Sequence, residues 1–395
     1  MTRIPLRWLI LGVFVGSSVL NYLDRQVLAA LAPLLCSELH LSNADYGLIL
    51  SAFSIVYAAA SPLAGLFIDR IGLTYGIALL VALWSAAGSF TGMIQGLAGM
   101  LVCRAVLGVA QSGGVPATGK AIRQYLNPSE RALGNGVSQL GLSVGAILAP
   151  PLATWLALAY GWRSAFLVTG LLGFLWIPLW LASARRVPEQ QEAPKADWRG
   201  ARTVLGDRRL WGFIAANVLS MVGYSLWSNW TTVYLVEAHR LSLAGAARYA
   251  WLPPLVSNLG GLLGGWMSLR LIRRKVEPVE ARYRVCLWAA VAALTTAVIP
   301  VVDNPWLAIT LVSFSFFTVA AFSVNLYTMP LDVFAPSQAA FSVSLLTAAY
   351  GAMQTVVSPL IGASIDRYGF APACLASAAA PVAAVGTLRL TRERS

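Results

Sequence analysis

Charge is what this chain has least of. Asp, Glu, Lys and Arg together make up 11% of its 395 residues, against 58% hydrophobic, where a soluble domain averages about 25% charged. That balance excludes a large soluble enzyme and points to a polytopic membrane protein. Histidine is scarcer still. The only two, His40 and His239, fall at the outer ends of apolar segments. No His/Asp/Glu group has metal-ligand spacing and no nucleophile–base pair is visible, so neither an enzyme nor a metal or cofactor is expected. The four cysteines, Cys36, Cys103, Cys286 and Cys374, show no paired spacing, which argues against a disulfide framework or a zinc site. The first apolar segment is followed by no small-residue cleavage site and is too long for a signal peptide, so it is expected to be retained. Phosphate-binding glycine loops lack the strand they require.

Long apolar runs are what the chain has in their place. Twelve can be counted, at 8–33, 46–68, 73–93, 96–122, 132–158, 162–182, 209–236, 246–270, 282–301, 305–330, 338–364 and 369–388. Lengths near 20 residues predict membrane-spanning helices rather than barrel strands. The fold class expected is therefore an all-α membrane protein with twelve transmembrane helices in two pseudo-symmetric six-helix bundles. The polar stretch 184–207, with Arg185, Arg186, Pro188, Glu189 and Pro194, reads as a cytoplasmic linker between an N-terminal bundle, 1–183, and a C-terminal bundle, 208–395.

The net charge of +12 does not imply a nucleic-acid partner, because the basic residues sit in short connections between apolar runs. With both termini placed on one side, all but six of the 28 basic residues fall on that side. The six are Arg163, Arg240, Arg248 and Arg367 on the opposite side, and Arg25 and Arg104 within the membrane. The positive-inside rule makes the rich side, and both termini, cytoplasmic. An internal repeat supports the count. Ser61-Pro62-Leu63-x-Gly65-x-x-Ile68-Asp69-Arg70-x-Gly72 closes the second segment. Ser358-Pro359-Leu360-x-Gly362-x-x-Ile365-Asp366-Arg367-x-Gly369 closes the eleventh. A weaker echo, Pro151 to Tyr160-Gly161, closes the fifth. Copies ending on opposite sides of the membrane are the mark of inverted three-helix repeats nested in two halves.

The chemistry concentrates in Asn21-Tyr22-Leu23-Asp24-Arg25, inside the first segment. Charges in a membrane cost at least a few kcal/mol each unless paired or solvated, and so mark function. At about 1.5 Å per residue, Asp24 and Arg25 lie roughly 12–15 Å below the outer end of their helix, and Arg104 lies about 12 Å deep in the fourth. Arg104 is thus the expected partner of Asp24. Ion pairing and burial act on that carboxylate in opposite senses, which suits a proton switch; the bland alternative is an ion pair that locks helices together. Arg25, through its planar fork, suits a substrate carboxylate. Gln111 lies two turns from Arg104 on the same face and suits a sugar hydroxyl, or equally a helix-packing amide. Tyr224 and Trp230 in the seventh segment, and Ser323 and Asn325 in the tenth, are candidate cavity residues, the rings suiting a sugar face. Asp69, Arg70, Glu130 and Arg131 read as a cytoplasmic gate. Glycines 141 and 145, and 260, 261, 264 and 265, read as close helix contacts.

These residues carry a resemblance. Gly65-x-x-x-Asp69-Arg70-x-Gly72 and Arg104-x-x-x-Gly108 resemble signatures of the major facilitator superfamily. Asn21-Tyr22-x-Asp24-Arg25, Asn127-Pro128-Ser129-Glu130-Arg131-Ala132, and Gly145-Ala146-x-x-Ala149-Pro150-Pro151-Leu152 with Tyr160-Gly161-Trp162-Arg163 look like the anion:cation symporter family, hexuronate transporters in particular. The resemblance implies uptake of a small organic anion by proton symport. The substrate would be bound by Asn21, Tyr22, Arg25, Gln111, Tyr224, Trp230, Ser323 and Asn325, with the proton as coupling ion at Asp24 and Arg104. It also implies a monomer in a bacterial inner membrane, with the anion and the lipid bilayer as partners. One departure bears on coupling. Family members commonly carry a glutamate where Gln111 stands, and glutamine does not titrate. A proton-independent facilitator or exchanger, or an efflux antiporter of the same fold, is the alternative.

Overall fold

The computed structural model describes residues 6–127, 130–185 and 203–392, and among these it is entirely helical. Seven helices run through the first two stretches: α1 Leu6–Glu38, α2 Asn43–Ile71, α3 Leu73–Thr91, α4 Leu97–Gln111, α5 Gly114–Tyr125, α6 Arg131–Tyr160 and α7 Trp162–Ala184. After residue 202 come α8 Arg208–Ser220, α9 Val222–Glu237, α10 Leu243–Ala250, α11 Leu252–Arg273, α12 Pro278–Ala293, a 3-10 turn Leu294–Val301, α13 Pro305–Val333, α14 Pro336–Tyr368 and α15 Ala371–Arg392. Most of the expected linker, residues 186–202, lies outside the described part.

Among the described residues, eleven spans are long and apolar enough to cross a membrane. Four of the expected segments are each built from two pieces. Residues 97–125 break after Gln111, where Ser112-Gly113-Gly114 has low helix propensity and the Ser112 hydroxyl bonds back to the Val109 carbonyl at 2.7 Å. Residues 208–237 break at Met221, and 278–301 finishes as the 3-10 turn containing Pro300. The expected eighth segment, 246–270, falls short of the other eleven. It divides into α10 and α11, and α11, though 22 residues long, is diluted by Gly260, Gly261, Gly264 and Gly265 and ends on Arg270 and Arg273.

The chain forms two compact units. One takes α1–α7 together with α10; the other takes α8, α9 and α11–α15. In the first, α1 packs on α6, α3 on α7 and α2 on α4. Its core includes Phe14, Ile77, Trp84 and Trp180. The indole N–H groups of α7 find backbone acceptors on neighbouring helices: Trp176 donates to the Val13 carbonyl at 2.7 Å and Trp180 to that of Thr74 at 2.9 Å. In the second, α13 packs against α11 and α12, and α8 against α15.

Close approach explains some of the glycines. A Cβ on Gly145 would strike the Val19 carbonyl and stand 3.0 Å from Tyr22 Cβ, so α6 lies flush on the part of α1 that carries the charged motif. Gly260 and Gly264 press in the same way on Phe317 and Ala321 of α13, whereas Gly261 and Gly265 face open space. The repeat noted in the sequence also has a geometric counterpart. The described glycines with positive φ are Gly72, Gly161 and Gly369, the closing residues of its three copies. Gly72 and Gly161, at φ 91°, ψ 157° and φ 83°, ψ 154°, occupy a region essentially reserved for glycine. Each serves as the only residue between two helices. A second echo was not visible in the apolar pattern: His40 and Arg240 both turn at φ 53°, each just before a Leu-Ser pair that leads into the next helix.

Candidate functional site

The charged motif faces inward. On α1, Asn21 is 7% and Asp24 4% exposed; on α4, Arg104 is 3% and Gln111 1% exposed. Arg25 is half-buried, and the structure brings it directly to Gln111. Its Nε and Nη2 donate to Gln111 Oε1 at 3.4 and 3.3 Å. The amide nitrogen of Gln111 donates in turn to the Asn21 carbonyl at 3.2 Å. Both ends of the amide are therefore committed, and its oxygen is turned towards Arg25. The helix break directly after Gln111 ends α4 at this point.

Three rings surround the same guanidinium. Its carbon lies 4.5 Å from the centroid of Phe53 and 5.2 Å from those of Tyr22 and Tyr57. Phe53 and Tyr57 stand one turn apart on α2 and stack at 5.6 Å. Gly108 lets them in: a Cβ there would come 2.7 Å from the Phe53 carbonyl and 3.2 Å from the Tyr57 nitrogen. Cation–π contact stabilises a guanidinium by about 0.5–2 kcal/mol without cancelling its charge. Reading the sequence alone missed Phe53 and Tyr57. Their i, i+4 spacing was a signal, but one shared with any packed helix face.

Asp24 points to a different neighbourhood from Arg25, as adjacent helical residues must. Neither of its oxygens meets a hydrogen-bond donor at ordinary distance among the described residues. The hydroxyl of Thr169 on α7 is the polar group beside it, and Arg104 of α4 lies within electrostatic reach. Arg104 is also within electrostatic reach of Tyr46 on α2 and of Arg25. The predicted Asp24–Arg104 partnership is thus an interaction across helices without an ion pair at contact distance, and Thr169 and Tyr46 are its unforeseen members.

The four expected gate residues separate into two arrangements. Asp69 meets Lys120 of α5 at 3.2 Å, and the same ammonium caps the Ile68 carbonyl at 3.0 Å. Glu130 turns instead to α1, accepting from Arg7 at 2.8 Å and from the Trp8 indole at 3.3 Å, while its other oxygen accepts from the Asn127 N–H at 3.1 Å. Burial pushes this carboxyl up, but the Asn127 N–H, the Trp8 indole and Arg7 outweigh it and hold Glu130 below the ordinary glutamate range. Arg70 and Arg131 are exposed.

In the second unit the expected residues are distributed over several contacts. Tyr224 is half-buried among Phe316 at 5.1 Å and Tyr350 at 5.9 Å. Trp230 is wholly buried in α9. Ser323 is half-buried on α13. Asn325, also wholly buried, gives its amide to the Gly264 carbonyl at 3.1 Å and the Ala321 carbonyl at 2.9 Å, which ties α13 to α11 where those helices touch.

A family model described as the Major Facilitator Superfamily matches residues 14–344. The chain is 29% identical over 387 residues to the hexuronate transporter of Escherichia coli K12, covering 93% of this chain and 89% of that one. It is 30% identical over 323 residues to the galacturonate transporter of Dickeya chrysanthemi, covering 77% and 94%. A solved structure of a bacterial homologue of the human lysosomal transporter Spinster, inward-facing and occupied, superposes with a TM-score of 0.77 over 99% of this chain and 96% of that one. At 21% identity that likeness concerns the fold alone.

Proposed function

Since the chain belongs to the Major Facilitator Superfamily, and is a multi-pass membrane transporter rather than an enzyme, we propose that it takes up a small hydroxylated organic anion, a hexuronate, aldonate or similar sugar acid, by proton symport with alternating access. The observation that carries this reading is Arg25: a half-buried guanidinium, caged by three rings, that donates its hydrogen bonds to a neutral amide. Such a group retains its positive charge for a carboxylate, and its fork can accept one bidentately. The names of the relatives at about 30% identity support the sugar-acid class.

Asp24 takes the proton. While ionised it offsets Arg104; once protonated it releases that arginine, and the rearranged charges favour the opposite-facing state. The Asp69–Lys120 and Glu130–Arg7 pairs hold the helix ends at the cytoplasmic mouth and separate when it opens. The protein works as a monomer in a bacterial inner membrane with both termini in the cytoplasm.

Uptake of labelled glucuronate and galactonate into proteoliposomes, with and without an inward proton gradient, tests the proposal. The expected result is gradient-driven accumulation that Asp24→Asn abolishes while exchange across the membrane persists. Equal uptake under both conditions overturns symport. It leaves a proton-independent facilitator or exchanger, the reading favoured by an untitratable Gln111 at Arg25.

A further inference from the structure

The charges at mid-depth are few enough to count. They are Asp24, Arg25 and Arg104; the other charged residues of the described chain lie toward helix ends or in the connections. Asp24 and Arg104 carry opposite charges and lie within electrostatic reach of one another. Arg25 has no such counter-charge. Its hydrogen-bond partner is the Gln111 oxygen, and its other close neighbours are the rings of Tyr22, Phe53 and Tyr57. The helices packed on α1 bring no anion to it. Neither α6 between Arg131 and Tyr160 nor α7 between Arg163 and Ala184 contains an ionisable side chain. On α5, Lys120 is engaged by Asp69. On α10, Arg248 is exposed. On α2, the titratable groups that face this region are the phenols of Tyr46 and Tyr57.

We infer that Gln111 sets the charge of the ligand. By meeting Arg25 with a neutral oxygen it leaves one uncompensated positive charge in the interior, so the site accepts a monocarboxylate and discriminates against a dicarboxylate of the same skeleton. This rests on the sugar-acid reading above and narrows it. The amide is held for the task. Its nitrogen is tied to the Asn21 carbonyl, which keeps the oxygen on the arginine, and the break after Gln111 ends the helix there. Among the described residues the other mid-depth cation, Arg104, already has Asp24 within electrostatic reach, and desolvating a second carboxylate without a partner carries the full cost of a buried charge. Replacing the amide by a carboxylate would cancel Arg25 and make anion binding wait for a proton.

Binding to the purified protein, followed by tryptophan fluorescence, tests this with two matched pairs, gluconate with glucarate and galactonate with galactarate. At pH 7.5 each monoacid should bind about tenfold or more tightly than its diacid, a difference of about 1.4 kcal/mol. Gln111→Glu should lose monoacid affinity at pH 7.5 and regain it on acidification, a pH profile that a purely structural role for Gln111 would not create. Gln111→Met, which removes the hydrogen bonds to Arg25 and Asn21 but leaves the charge, should keep the preference for the monoacid. Asp24→Asn, which leaves Arg104 without its offset, should narrow the gap between diacid and monoacid. Equal affinity for both members of a pair in the wild-type protein, or a Gln111→Glu variant with unchanged preference and pH profile, overturns the inference and leaves the sugar-acid reading standing. Binding of none of the four acids overturns that reading and the inference with it.

Discussion

Arg25 and Gln111 show how much one atom's identity decides. An amide oxygen and a carboxylate oxygen occupy almost the same space, yet only the carboxylate removes the arginine's charge. The fork of Arg25 matters for a related reason, since two nitrogens must face one carboxylate in plane. Arg25→Lys keeps the charge and loses the fork, and uptake of the labelled acid should fall by about tenfold or more; unchanged uptake would remove Arg25 from the binding role. Glu130 is a residue-scale device of another kind. Its folded value lies below the ordinary glutamate range, so the stability it contributes is present above that range and is lost as pH falls through the folded value. The difference in unfolding midpoint between the wild type and Glu130→Gln should therefore be constant from about pH 5 to 8 and close below about pH 4. A difference that vanishes near neutrality would rule out this tether.

At the scale of elements, single glycines control how helices begin and how closely they lie. Gly161 links α6 to α7 with φ 83°, and a Cβ there would meet nothing within 4 Å. The cost of Gly161→Ala is thus purely conformational, about 1–3 kcal/mol, and should appear as a lower unfolding midpoint in detergent. Gly136→Ala, in the interior of α6 and equally open, is the control. It should be neutral or stabilising, because alanine is the better helix former. If both variants unfold alike, the strained linker is not what the glycine supplies. Gly108→Leu would separate α4 from α2 at the Phe53 carbonyl and Tyr57 nitrogen. Since those rings cage Arg25, the variant should lose substrate affinity, and retained affinity would show that the cage is dispensable.

For the whole molecule, the distribution of basic residues makes a prediction about orientation. Ser42, after α1, should face outside and Asn127, after α5, the cytoplasm. In a background without native cysteines, a membrane-impermeant thiol reagent should label Ser42→Cys on intact cells and label Asn127→Cys only after permeabilisation. The reverse pattern would invert the topology. The helix-loop pattern of the first half recurs in the second, down to left-handed turns at His40 and Arg240. That recurrence fits a transporter assembled from repeated units.

Hydropathy by itself determined the class of this protein, eleven of its twelve expected spans and the membrane location of Asp24, Arg25 and Arg104, because a run of apolar side chains near 20 residues long has one stable setting and a charge within it is an exception visible in one dimension. Spacing also located the Gly72, Gly161 and Gly369 joints through their repeated motif. It counted α11 only within an undivided segment, 246–270, whose glycines lower hydropathy although Gly260 and Gly264 serve contact with α13. Nor could it say what each charge meets. Gln111 is 86 residues from Arg25, Phe53 and Tyr57 lie on another helix, and Glu130 reaches 123 residues back to Arg7 instead of joining Asp69. Such pairings depend on which faces of separate helices are pressed together, and that is decided by close packing at Gly108 and Gly145, a property of three-dimensional fit that no periodicity along the chain encodes.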